Sequence, residues 1–241
     1  MDRAIHKHSA PILATLFAFS FLAFWPAYLS GALIDVDWRV HFHAVTLALW
    51  CVLMITQAYL IRTNRRPIHR WTGKLSYLLA PLVVLASLSA VHGLLQREGV
   101  DGIWAYALAF VLGLVAQFVF AYALAIYHRK NPALHARFMI CTAFPMIPPI
   151  LDRVLLFYLL PPDRAGFLPS IEGIPLYELV PFVLTDVILV ALSIWDWRSR
   201  SRINVFPVVL AAFVLFQVLP LLVYRAAFWD RFSLWFLSLP L

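Results

Sequence analysis

Charged side chains are scarce in this sequence, because Asp, Glu, Lys and Arg together make up only 13% of its 241 residues. An average soluble domain carries about 25% of these four residues. Hydrophobic residues account for 63% of the chain, and its mean hydropathy is +0.84. This composition excludes an ordinary soluble domain and predicts a protein that is embedded in a lipid bilayer.

Cysteine is also rare, and the common catalytic motifs are missing. The two cysteines, Cys51 and Cys141, both lie inside apolar runs and at different predicted depths, so we expect free thiols and no disulfide. The sequence contains no GxxxxGK[ST] loop, GxSxG elbow, CxxC pair or HExxH helix motif. Nucleotide hydrolysis and the usual soluble hydrolase mechanisms therefore have no support.

Long apolar runs are plentiful and predict an all-α integral membrane protein, a bundle of seven transmembrane helices in a single domain over residues 1–241. The first run is long enough to span a bilayer, so we interpret it as a retained helix and not as a signal peptide. The aromatic tail, residues 225–241, is predicted to lie along the membrane interface. The predicted spans cover about 10–32, 40–61, 71–95, 103–127, a stretch ending near 160, 176–194 and 205–224.

Lys and Arg residues cluster in alternate loops, at the N-terminus and in residues 62–74, 129–137 and 198–202. The positive-inside rule places these loops in the cytoplasm, with the N-terminus cytoplasmic and the C-terminus outside. The net charge of +7 is then explained by membrane orientation, so the lipid bilayer and not nucleic acid is the expected partner. The expected location is the bacterial inner membrane.

Histidines occur at two predicted membrane depths. His43 and His92 lie near the outer face, whereas His69 and His135 lie near the inner face, and Met139 shares a helical face with His135. Imidazole and thioether groups bind haem iron or copper, so these five residues are candidate cofactor ligands. The alternative for each histidine is an ordinary hydrogen bond to a neighbouring helix.

Carboxylates allow a second interpretation of the outer residues. His43, His92, Asp152 and Glu178 have the chemistry of a mixed metal site for zinc or copper, which would favour hydrolytic reactions. We expect Arg153 to form a structural ion pair with Glu178 or Asp186 on the next span, with Asp186 as the preferred partner, because an unpaired charge is costly in a membrane. Prolines near the middle of the fifth span, at positions 145, 148 and 149, predict a kink there.

Several of these residues stand in recognisable motifs. RRPIHRWTGKLSY, the earlier His43, HARFM and the later Asp152 and Arg153 resemble a family of predicted bacterial membrane proteins of unknown function, over about residues 40–186. That family has an HRxxG motif and a HRRWM motif; Ala136 and Phe138 depart from the second. The resemblance implies a multi-helix fold without a settled activity. The matching residues are His43, His69, Arg70, Gly73, His135, Met139 and Arg153.

A looser likeness is to the cytochrome b561 group, whose haems are bound by histidines of a four-helix core. Here the fourth span has no histidine before His128 at its inner end. The main hypothesis is therefore a membrane-embedded redox protein that binds b-type haem and passes electrons within or across the membrane, to a quinone or another redox protein. The alternatives are an intramembrane metal-dependent enzyme, and a transporter or sensor without metal whose kinked fifth helix moves.

Overall fold

The computed structural model describes residues 2–30, 36–160, 170–171, 174–175, 179–198 and 205–241. Helices dominate this part of the chain. The α-helices are α1 (Asp2–Phe24), α2 (Trp38–Arg62), α3 (Arg66–Gly73), α4 (Ser76–Glu98), α5 (Ile103–Tyr127), α6 (Pro132–Cys141), α7 (Ile147–Val154), α8 (Val180–Arg198), α9 (Val205–Val223) and α10 (Ala227–Leu237).

Seven helical segments of the described chain are long and apolar enough to cross a membrane, which confirms the predicted multi-pass helical class. A helix satisfies its own backbone hydrogen bonds, which is why apolar spans of this length fold as helices in lipid. The third span begins later than predicted, because α3 is a separate short helix that includes Trp71. The spans are Lys7–Leu29, Trp38–Arg62, Ser76–Glu98, Ile103–Tyr127, Pro132–Leu159, Val180–Arg198 and Val205–Val223.

The spans form a closed ring in which each span contacts the next. Going around the ring, α4 packs against α2, α2 against α1, α1 against α7, α7 against α8, α8 against α9, α9 against α5, and α5 against α4. Consecutive spans all contact each other, including α5 and α6, whereas the contacts of α5 with α9 and of α1 with α7 join spans that are distant in the sequence. The fifth span, which contains α6 and α7, closes the ring between α1 and α8.

The fifth span is broken at its prolines. A 3₁₀ turn over Phe144–Met146 separates α6 from α7, and a π-helical turn over Leu155–Leu159 ends the span. Proline lacks a backbone N–H and obstructs the preceding turn, so three prolines within five residues prevent a continuous helix. The halves have different neighbours: α6 packs against α5 and α9, whereas α7 packs against α1 and α8. The break lies where the prolines predict a kink.

Two smaller elements lie outside the ring. A two-stranded antiparallel hairpin in the long loop pairs β1 (Ser170–Ile171) with β2 (Ile174–Pro175). The aromatic tail folds as α10, and its Trp229 and Phe236 are buried against α4 and α5. The Trp229 indole Nε1–H donates a hydrogen bond of 3.1 Å to the Ala105 carbonyl. The predicted interfacial tail therefore also covers one end of the bundle.

Candidate functional site: the inner histidine pair

The two outer histidines have different partners. His43 on α2 lies 3.3 Å from the hydroxyl of Ser87 on α4, measured from Nδ1 to Oγ. His92 on α4 is fully buried, and its Nε2 lies 3.2 Å from the Leu237 carbonyl at the end of α10. Ser87 and His92 are five positions apart on α4, which places them about 140° apart around the helix axis. Ser87, the partner of His43, and His92 therefore lie on different faces of α4.

The predicted ion pair between Arg153 and Asp186 is replaced by other contacts. Arg153 pairs with its chain neighbour Asp152 at 2.9 Å, and Asp186 accepts a hydrogen bond of 3.1 Å from Gln217 on α9. Arg153 pairs with Asp152 because this neighbouring carboxylate can be reached without crossing to another helix. Glu178 lies outside the described residues.

Metal-binding carboxylates and imidazoles are dispersed in the described part of the chain. It contains no group of three or more His, Cys, Asp or Glu residues placed to hold one metal ion. His43, His92 and Asp152, the described members of the predicted mixed site, contact Ser87, Leu237 and Arg153 instead.

The inner histidines lie on separate elements, His69 on α3 and His135 on α6, and a charge on His135 lowers the pKa of His69. The His135 Nδ1–H donates a hydrogen bond of 2.8 Å to the Ala125 carbonyl on α5. This bond orients the ring and leaves Nε2 as the nitrogen with a free lone pair, the arrangement usual for a metal-binding histidine.

His69 supplies the second ring of the pair. It is half-buried while the residues on either side, Ile68 and Arg70, are exposed. Its Nδ1 is buried and has no hydrogen-bond partner among the described residues. Burial lowers the pKa of His69 below its usual 6.5, and a positive charge on a protonated His135 lowers it further. An interaction with the Gln57 backbone has the opposite effect and raises the pKa of His69. A neutral imidazole is suited to bind a metal.

The HRxxG segment is held in place through Gln57 on α2. The Gln57 amide donates a hydrogen bond of 2.7 Å to the hydroxyl of Thr72 on α3. A Cβ atom at Gly73 would lie only 3.3 Å from Gln57 Oε1, so glycine permits this close approach. The Ser76 hydroxyl then donates to the Gly73 carbonyl at 2.7 Å and accepts from Tyr122 of α5 at 3.0 Å. These contacts fix α3 and therefore His69 against α2, α4 and α5.

A buried ion pair that the sequence did not reveal lies beside His135. Arg137 on α6 and Asp196 on α8 are both fully buried, and Arg137 Nη2 lies 3.2 Å from Asp196 Oδ1. Arg137 also donates to the Ala133 carbonyl at 3.1 Å. Both residues appeared to belong to cationic loops that orient the protein. The available signal was the single carboxylate of WDWRSR, an acid within a loop that is otherwise cationic.

Met139 lies one turn beyond His135 and is partly buried. It packs against two apolar clusters, one containing Met54 and the other Cys141. Met139 thus follows the inner pair toward the middle of the bundle.

No protein-family model, no curated protein and no solved structure matches this chain. The geometry of the inner histidine pair is therefore the observation from which function has to be inferred.

Proposed function

We propose that this protein is a membrane-embedded redox protein whose metal centre, a b-type haem, is bound by His69 and His135. The observation that carries the proposal is the oriented ring of His135, whose Nδ1–H bonds the Ala125 carbonyl at 2.8 Å, together with the electrostatic effect of His135 on the half-buried His69. Iron in b-type haems is bound by imidazole nitrogens from the protein. The orienting bond from His135 to Ala125 supports the same assignment, because ligand histidines usually have such a second-shell partner.

Two nitrogen atoms support the proposed haem ligation. His135 offers Nε2, and His69 has a buried nitrogen without a partner. The exposed face of α3 presents Arg65, Arg66 and Arg70, whose positive charges suit the propionates of a haem or anionic lipid headgroups. When bound, haem supplies a one-electron centre. The protein itself orients the rings, and the buried Arg137–Asp196 pair stabilises the helix that carries His135.

The predicted topology determines the side of the membrane on which this centre would exchange electrons. With the cationic loops in the cytoplasm, the inner pair lies at the cytoplasmic face of a bacterial inner membrane. Electrons would then enter or leave the centre on that side. A membrane quinone or another redox protein is the expected partner, since both reach a centre near the membrane surface.

Absorption spectroscopy and iron analysis on one preparation of the full chain test the proposal. The wild-type protein should show a Soret band and stoichiometric iron, and His69→Gln and His135→Gln should each lose both. His41→Gln is the matched control, because His41 contacts the Tyr28 hydroxyl at 2.7 Å on another part of the bundle. A wild-type sample without a Soret band or iron would refute haem binding. Stoichiometric zinc or copper that disappears in His135→Gln would instead support a mononuclear metal site.

A metal-free transporter or sensor is the second candidate, and the broken fifth span favours it. Because α6 and α7 contact different helices, one half can shift while the other stays packed. This function predicts no bound metal and a substrate-dependent change in the accessibility of the break. Labelling of a cysteine introduced at Leu151, on α7, would detect that change, with a cysteine at Leu134 on α6 as the control.

A further inference from the structure

Sulfur atoms are concentrated where α2 faces the break in the fifth span. Of the four methionines in the chain, all except Met1 lie in this region: Met54, Met139 and Met146. Cys51 Sγ lies 3.9 Å from Met146 Sδ. Met54 Sδ lies 3.9 Å from the hydroxyl of Thr142, which immediately follows α6. Four sulfur side chains thus come from two elements that face each other.

The helix geometry explains how these sulfurs meet. Cys51 and Met54 are three residues apart on α2, so their side chains project from the same face. The 3₁₀ turn at Phe144–Met146 then presents Met146 to that face from the other side. Cys51 lies at the middle of the span Trp38–Arg62. The sulfur cluster is therefore near the centre of the membrane, separate from the inner histidine pair.

The distance between the two sulfurs suits a shared metal ion. With metal–sulfur bonds of about 2.3 Å and a trigonal angle of about 120°, two sulfur ligands of one ion lie about 4.0 Å apart. The observed separation of Cys51 Sγ and Met146 Sδ is 3.9 Å. Two of the ligands thus already stand at the correct separation, while Met54 Sδ would leave its contact with the Thr142 hydroxyl to become the third.

Charge identifies which ion this site would take. A monovalent ion bound by one thiolate and neutral thioethers forms a site without net charge, whereas a divalent ion would leave a positive charge that is costly at this depth. Thiolate and thioether ligands also select Cu(I) over harder ions. We propose that Cys51, Met54 and Met146 form a binding site for Cu(I). On binding, the Cys51 S–H bond breaks, a sulfur–copper bond forms, and the proton passes to solvent with no change in oxidation state.

This site goes beyond the proposed haem function and is independent of it. Methionine also fills irregular gaps in apolar cores, and a broken helix creates such gaps. Packing alone would place the same residues together without conferring affinity for copper. The two explanations differ in what they predict for binding, so a titration separates them.

The experiment is a titration of the full-length protein in detergent, without oxygen, with Cu(I) in competition with bicinchoninate. We expect one Cu(I) per chain, and Cys51→Ala and Met146→Leu should each weaken binding at least about tenfold, since even outer-shell changes cost this much at metal sites. Met146→Leu conserves volume, so a thermal unfolding curve like that of the wild type would show that its fold is intact. X-ray absorption should detect sulfur at about 2.3 Å from copper.

Cys141→Ala is the matched control, because Cys141 is a buried thiol in a different apolar cluster. It should keep the wild-type affinity, and so should His135→Gln, which removes only the haem ligand. Copper binding that survives without haem, or haem binding without copper, distinguishes failure of one proposal from failure of the other. The copper site is refuted if wild-type protein shows no saturable binding, if Met146→Leu keeps full affinity, or if Cys141→Ala loses as much as Cys51→Ala.

Discussion

Among individual residues, His69 reports most directly on the inner site. Burial lowers its pKa first, and the charge of His135 and then that of Arg70 lower it further. We expect His135→Gln to raise the pKa of His69 toward 6.5 without reaching it, because burial remains. Arg70→Ala should raise it by less. A histidine NMR titration of the metal-free protein measures both shifts, and an unchanged pKa in His135→Gln would show that the rings are not close.

The same shift makes stability depend on pH. The folded-state pKa of His69 is depressed, so as the pH falls below about 6.5 the unfolded state takes up a proton that the folded state refuses. Stability contributed by His69 is therefore present above pH 6.5 and lost on acidification toward the folded-state pKa. His69→Gln should flatten this part of the curve of unfolding free energy against pH, and an equally steep curve in the variant would contradict the assignment.

Arg137 is the residue whose loss should destabilise the protein most. Its guanidinium is fully buried with Asp196, and removing one member of a buried pair typically costs about 3–5 kcal/mol because the other charge remains. Arg129→Ala is the control, since exposed Arg129 only donates to the Tyr77 hydroxyl and such a bond is worth about 1 kcal/mol. Unfolding in a denaturing detergent compares the two. Equal losses in both variants would argue against a stabilising role for the buried pair.

At the scale of secondary-structure elements, the contact between α5 and α9 depends on Gly113. A Cβ atom there would lie 2.7 Å from the backbone carbonyl of Phe216, which cannot swing away. Small residues let helix backbones approach closely in membranes. Gly113→Ala should therefore destabilise the bundle by about 1–3 kcal/mol. Thermal unfolding followed by light scattering measures the loss.

Gly93→Ala is the matched control for that prediction. Its new Cβ would meet Arg39 Cδ at 2.8 Å and Asp37 Oδ2 at 2.9 Å, which belong to side chains that can rotate away. We expect a smaller loss of stability than in Gly113→Ala. A larger loss of stability in Gly93→Ala than in Gly113→Ala would contradict this expectation. It would mean that the Arg39 and Asp37 side chains cannot move away from the new methyl group.

The fifth span shows which features of an element can be predicted from sequence. Prolines at 145, 148 and 149 predicted its break, because proline chemistry acts locally. The neighbours of each half were not predictable: α6 contacts α5 and α9, and α7 contacts α1 and α8. Those contacts depend on the order of helices around the ring, about which local sequence carries no information.

For the whole molecule, the orientation in the membrane is the main remaining prediction. Seven membrane crossings would put the ends of the chain on opposite sides, and the Lys and Arg distribution predicts that the N-terminal side is cytoplasmic. In intact bacterial cells, a cysteine introduced at exposed Ser238 should react with a membrane-impermeant maleimide, whereas one at exposed Lys130 should react only after lysis. The opposite labelling pattern would invert the topology and move the inner pair to the outer face.

Composition alone was sufficient to predict the class of the fold, because an apolar segment in lipid must satisfy its backbone hydrogen bonds internally and so becomes a helix. Sequence position also gave a predicted depth for each polar residue, and it assigned His69 and His135 to the same inner level. Only the tertiary packing determined which neighbouring helix each of these side chains faces. His92 turns toward α10, and Arg137 with Asp196 forms the buried ion pair in place of Arg153 with Asp186, because the neighbour that each helix face meets depends on how distant parts of the chain assemble.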